Sequence, residues 1–229
     1  MAATRARAPA RRGPPGPGAA EAAAPTAPTE TFLPKKLTLP ALQRAARRCR
    51  GCGLYARATQ TVFGEGPPEA RLVLVGEQPG DAEDRSGKPF VGPAGNLLSK
   101  ALAQAGIDRR LTYVTNAVKH FNFEPRGKAR LHKKPKPGDV RACRPWLDAE
   151  LAVIRPPALV LLGATAAQAV YGAGFRVTRS RGVPQSTPLA PFSLATWHPS
   201  NVLRAPDSAT RHRLMEELVS DLALAAAYL

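Results

Sequence analysis

The chain has 229 residues, 44% of them hydrophobic, and carries a formal net charge of +16. That apolar share supports one folded domain, and no apolar run is long enough to cross a bilayer. Residues 1–38 hold six cations against two acids, so about +12 stays with the rest of the chain; a folded domain that basic suits a polyanionic partner, nucleic acid above all.

Residues 1–38 are rich in Pro, Ala and Gly and have arginines but no apolar stretch of the kind a secretory signal needs. They read as a disordered basic tail before a domain spanning 39–229. From residue 39 onward, helical and strand patterns alternate. "LPALQRAARRC" (39–49) has helical spacing, and "ARLVLVG" (70–76) is a compact apolar strand. "AGNLLSKALAQAG" (94–106) is a helix stopped by glycine, and "LTYVTNAV" (111–118) is a strand. Residues 126–138, "RGKARLHKKPKPG", are punctuated by glycine and proline and read as a basic loop. "GDVRACRPWLDAELAVI" (138–154) is an amphipathic helix with Asp139 as its expected N-cap. "PALVLLG" (157–163) is a strand, "ATAAQAVYG" (164–172) a helix, "FSLATWHPS" (192–200) a strand running into a loop, and residues 207–229 a final helix. Strands separated by helices predict a three-layer α/β/α domain around a mainly parallel, four-stranded sheet. In such sheets the site lies beyond the carboxyl ends of the strands, which singles out "GEQPGDAED", "TNAVKH", "GATA" and "WHPSN".

Those segments deliver different chemistry to one crevice. Glu77, Gln78, Asp81 and Asp84 follow the first strand, with Phe90 a little further on. Asn116 ends the second and offers an amide that can read a base edge. His198 and Ser200 follow the last strand. Each alone is commonly structural; an acid, an amide and an imidazole converging from three strand ends point to a catalytic site. His132 stands among six cations in the basic loop. Lys128, Arg130, Lys133 and Lys134 suit phosphate, but gripping phosphate needs no imidazole.

Three cysteines are too few and too odd in number for a disulfide framework. Cys49 and Cys52 form a C-x2-C just after a basic helix, and Cys143 opens a later one. With His120 as a fourth ligand they could hold zinc or an iron–sulfur cluster, both of which take thiolate-rich sites.

"GEQPGDAEDRSGKPFVGPAGNLL", "TNAVKHF" and "WHPSN" resemble the motifs of the uracil-DNA glycosylase superfamily over residues 39–225. The likeness is to its iron–sulfur branch, family four and the related UdgX group. Family four typically has "GEAPG" and a cysteine after "VK"; here "GEQPG" and His120 follow the UdgX pattern. "KARLH" (128–132) is similar to the UdgX sequence KRRIH, with Ala129 in place of one arginine. The resemblance implies uracil excision from DNA, with single-stranded DNA as the expected partner, by a monomeric cytoplasmic protein that meets the nucleoid through its substrate. It implies that Phe90 stacks on uracil and Asn116 pairs with it. His198 would then stabilise the departing base, and His132, oriented by Glu77 as proton acceptor, would bond covalently to the sugar. Gln78, Asp81 and Asp84 would shape that pocket and hold the loop, with Asp81 counted among the catalytic residues and Ser200 among those that touch substrate. A [4Fe–4S] cluster on Cys49, Cys52, His120 and Cys143 is implied by the same likeness, with zinc the less favoured metal.

Overall fold

The computed structural model describes residues 24–229. The tail predicted for residues 1–38 therefore lies outside the described residues as far as residue 23. Its last part is corrected: residues 24–38 pack on the domain. Thr29, in a 3-10 turn over Thr29–Phe32, is buried, and the Thr26 N–H donates to the Arg50 carbonyl at 3.0 Å. Phe32 and Leu33 supply the reason, because they cover the apolar cluster around the cysteines.

The central sheet has five strands in the order β2-β1-β5-β7-β6. β1 (Leu72–Gly76), β2 (Thr112–Asn116), β5 (Ala158–Leu162) and β7 (Ala190–Thr196) are the four parallel strands that the apolar runs predict. The fifth, β6 (Gln185–Thr187), is a short antiparallel edge strand with no apolar signature of its own. Alternate residues of each parallel strand face opposite layers. Leu72, Leu74, Val160, Leu162 and Leu194 join α3 (Pro93–Gln104) and α8 (Ser208–Ala226) in one core. Val73, Val75, Leu159, Leu161 and Ala195 join α4 (Pro137–Ile154) and α5 (Ala164–Tyr171) in the other. Burial on both faces is why these strands read as unbroken apolar runs.

Three smaller helices complete this part of the chain: α1 (Leu39–Ala46), capped by Thr38; α2 (Asp81–Ser86), which begins within the strand-end segment "GEQPGDAED"; and α6 (Val177–Ser180). α7 (Pro199–Leu203) carries His198 at its N-cap. Asp139 is not the N-cap of α4. It sits one turn in, where its carboxylate accepts the N–H of the capping residue Lys136 at 2.9 Å.

The basic segment departs most from expectation. In place of a loop it forms half of an antiparallel hairpin, β3 (Phe123–Arg126) with β4 (Ala129–His132). Arg126 pairs with Ala129 across a two-residue turn in which Gly127 takes φ +59°, a left-handed value that glycine adopts freely. The strands are mostly exposed and too short and polar to show an apolar alternation, so only the turn residues could have signalled them. Among the described residues no helix is long and apolar enough to cross a membrane.

Candidate functional site

β1, β2, β5 and β7 run parallel, so their carboxyl ends open on one side of the sheet. Gly76 ends β1 beside Asn116 at the end of β2. A Cβ on Gly76 would run into the Asn116 amide oxygen and come within 2.6 Å of the Phe90 ring. The missing side chain thus leaves room for an amide and an aromatic ring at the same strand end. Asn116 is buried, and its backbone carbonyl accepts the Lys119 ammonium at 2.7 Å, which leaves the side-chain amide as the group this strand end presents.

His198 enters from the end of β7. Its ring lies 6.2 Å from that of Phe90, centroid to centroid, at 30°. The Ser200 backbone N–H donates to His198 Nδ1 at 3.2 Å, and the Ser200 hydroxyl lies 2.8 Å from the same nitrogen. A backbone N–H can only donate, so Nδ1 accepts and the ring proton of the neutral form sits on Nε2. Burial first, then Arg204 and His132, pushes the His198 pKa down to about 4. The ring is therefore a neutral donor at neutral pH. Ser200, expected to touch substrate, also sets this tautomer.

His132, the last residue of β4, comes over the same strand ends. Its Nε2 lies 3.5 Å from Glu77 Oε1 and 3.0 Å from Gln78 Nε2. The Gln78 amide also donates to the carbonyls of Asn122 (3.1 Å) and Lys133 (3.0 Å). Two carbonyls facing one amide nitrogen fix its orientation, since the flipped amide would set oxygen against oxygen. Gln78 thus turns its amide nitrogen, and not its oxygen, toward His132 Nε2. Burial outweighs the opposing Glu77 charge and holds the His132 pKa below the ordinary histidine value.

The hairpin that carries His132 is clamped from below. Arg130 donates from Nη1 to Asp84 Oδ2 at 2.6 Å and from Nε to Asp81. Its guanidinium also lies 5.5 and 5.1 Å from the Phe121 and Phe123 ring centroids. Asp84 is fully buried and takes both of its other bonds from the Thr59 N–H. Asp81, expected in catalysis, and Arg130, expected on phosphate, are therefore engaged with each other behind the hairpin. The Arg85 and Arg130 bonds hold the Asp81 pKa below the usual carboxylate range. Lys128 and Lys134 are exposed, while exposed Lys133 pairs with Glu124.

Two contributors were not singled out in the sequence. Thr165, at the start of α5, donates its hydroxyl to Glu77 Oε2; it lies in "GATA", one of the strand-end segments flagged above. Arg204 caps α7, and its charge acts on both His132 and His198. Nothing in the local pattern distinguishes it from the chain's many surface arginines.

Away from this crevice, Cys49, Cys52 and Cys143 are free thiols buried in one cluster with Trp146. The Trp146 indole N–H donates to Cys49 Sγ and the Lys119 backbone N–H to Cys143 Sγ, each at 3.2 Å. Burial pushes the Cys52 thiol up to about 11 and raises Cys143 as well. His120 is buried beside them, its Nδ1 without a hydrogen-bond partner.

Residues 63–223 match the family model of the uracil DNA glycosylase superfamily. The chain belongs to this superfamily. It is 36% identical to a type-4 uracil-DNA glycosylase of Thermotoga maritima over 75% of this chain and 86% of that protein. It is 31% identical to the type-4 uracil-DNA glycosylase of Pyrobaculum aerophilum over 82% and 93% of the two chains. A type-5 uracil-DNA glycosylase of Thermus thermophilus is 32% identical over 78% of this superfamily member and 85% of its own length.

Proposed function

We propose that this protein excises uracil from DNA and is captured on the resulting sugar by His132. One observation carries the reading: an imidazole whose Nε2 stands 3.5 Å from a carboxylate sits on a clamped hairpin over the same strand ends as His198 and Asn116. Uracil would be met in single-stranded DNA or turned out of the stack, placed against Phe90 and read by the Asn116 amide. As the C1′–N1 bond breaks, its electron pair leaves with uracil, and the neutral His198 Nε2–H donates to the growing negative charge. C1′ becomes cationic in character, as in glycoside hydrolysis. Glu77, fixed by Thr165, stabilises that charge. The Nε2 lone pair then bonds to C1′, the imidazole takes the positive charge, and the proton on Nδ1 leaves to solvent. Glu77, 3.5 Å from Nε2, acts on this reading through its charge and as the carboxylate that orients the imidazole. Lys128 and Lys134, with Arg204 at the rim, are free to meet phosphates.

Cys49, Cys52, His120 and Cys143 fit an iron–sulfur cluster. The N–H donors on two sulfurs suit anionic thiolates, and the orphaned His120 Nδ1 suits a ligand. No three such side chains among the described residues close on one ion-sized point. Bound there, a cluster would supply cohesion between α1, α4 and the segment after β2.

The type-4 relatives favour a second reading, in which water takes the place of His132 and the enzyme turns over. A denaturing gel decides between them. Wild-type protein with uracil-containing single-stranded DNA should give a heat- and detergent-stable adduct, absent with uracil-free DNA. His132→Ser should lose the adduct and leave an abasic product. Turnover by wild type without any adduct would overturn the covalent reading.

A further inference from the structure

We infer that Arg109 is a positioning residue that holds the base-stacking ring of Phe90 in place, an inference that rests on reading this crevice as the uracil site. Phe90 is one of two non-glycine residues among those described with a left-handed backbone, at φ 55°. A bulky side chain is strained there, and such a conformation persists only where its surroundings over-determine it. The surroundings are visible. Gly95 makes room for the Phe90 carbonyl, which a Cβ at that position would strike. The Gly92 N–H is tied to Glu83 Oε1 at 2.8 Å. The Phe90 carbonyl itself accepts Arg109 Nη2 at 3.3 Å.

Arg109 is an expensive way to make that bond. Its Nη1 is buried without a partner, one of only two such side-chain atoms among the described residues; the other belongs to His120. Burial also pulls the guanidinium's pKa down, against the charge of Glu65. A guanidinium nitrogen buried without a partner is costly, and an apolar residue would avoid that cost. Arg109 stands in the 3-10 turn Arg109–Leu111 that feeds β2, and β2 ends at Asn116. One strand thus carries the base-reading amide at its far end and the clamp on the stacking ring at its near end. The flanks of Phe90, Pro89 and Val91, line a cavity of about 470 Å³ together with Arg109 and Lys88. The ring's backbone therefore has open space on one side, and the Arg109 bond bridges it.

The test is single-turnover uracil release from a uracil-containing single-stranded oligonucleotide by wild type, Arg109→Gln, Phe90→Leu and the double variant, with hydrogen exchange of the 91–95 amides measured alongside. Arg109→Gln should slow release about tenfold to a hundredfold, the loss of one hydrogen bond to a charged group, and leave binding to uracil-free DNA unchanged. In the Phe90→Leu background the same change should add nothing, because no ring remains to be positioned. Amides 91–95 should exchange faster in Arg109→Gln. Arg109→Lys keeps the charge and stem but not the planar fork, and should show the same pattern more weakly, which covers the case of an unstable glutamine variant. Wild-type release rates in both folded variants, or losses that multiply in the double variant, would overturn the inference. Should wild type release no uracil, the uracil reading falls, and unchanged exchange at 91–95 then rejects the Arg109 clamp on its own.

Discussion

Replacing Arg130 with alanine should uncouple capture from excision. The guanidinium is only 16% exposed and bridges two carboxylates of different worth. Asp81 is 41% exposed and also bonded to Arg85, so its pair contributes at most about 1 kcal/mol. Asp84 is fully buried, and stripping a buried charge of its partner costs about 3–5 kcal/mol. The single Thr59 N–H shared between both Asp84 oxygens remains and reduces that figure to about 2–3 kcal/mol. The penalty falls on the docked hairpin, which loses population by up to about 30- to 150-fold at 1.36 kcal/mol per factor of ten. The Gln78 bonds to Asn122 and Lys133 survive, so the adduct should form at least about tenfold more slowly, up to that limit. Asn116, Phe90 and His198 are untouched, so uracil release should continue and abasic product accumulate. A denaturing gel time course with alkaline cleavage measures both. Adduct formation at the wild-type rate would remove the clamp from the account. Equal loss of release and capture would place Arg130 in excision itself.

Acidification should separate the same two steps. Capture needs an unprotonated His132, whose pKa burial and Arg204 lower against Glu77, so it should hold as pH falls through 6.5 and decline only below. Release depends on His198, neutral down to about 4, and should outlast capture; a capture rate that rises on acidification would contradict the lone-pair role. Purified protein should be brown with about four iron and four sulfide per chain. Cys143→Ser should lose colour and melt at a lower temperature, because cluster binding adds to folding stability; colourless wild type holding one zinc would reject the cluster. Lys119 and Glu150 form a fully buried ion pair at 2.5 Å. Lys119→Met should lower Tm by about 6–20 °C, from about 3–5 kcal/mol at 2–4 °C each. Adding Glu150→Leu should recover only part, since Tyr113, Thr115 and the Gly64 N–H then lose their acceptor; a Tm unchanged in Lys119→Met would contradict the burial argument.

The sequence by itself determined the sheet and the direction of the site. The segments 70–76, 111–118, 157–163 and 192–200 read as strands separated by helices, and parallel strands send their following segments to one side. Glu77, Asn116 and His198 were legible because a strand's end fixes where the next residue goes. The edge strand β6 and the basic hairpin were not, since short exposed strands bury no face and leave no apolar period. Tertiary structure alone decided that Arg130 spends its charge on Asp81 and Asp84, across 49 and 46 residues of chain. It also decided that Ser200 sets the His198 tautomer and that Gln78 turns its amide nitrogen toward His132. Local sequence settles what a side chain can donate or accept. Which partner it meets depends on chain-distant groups brought within about 3 Å of one another by packing, and that is where the chemistry of these residues was settled.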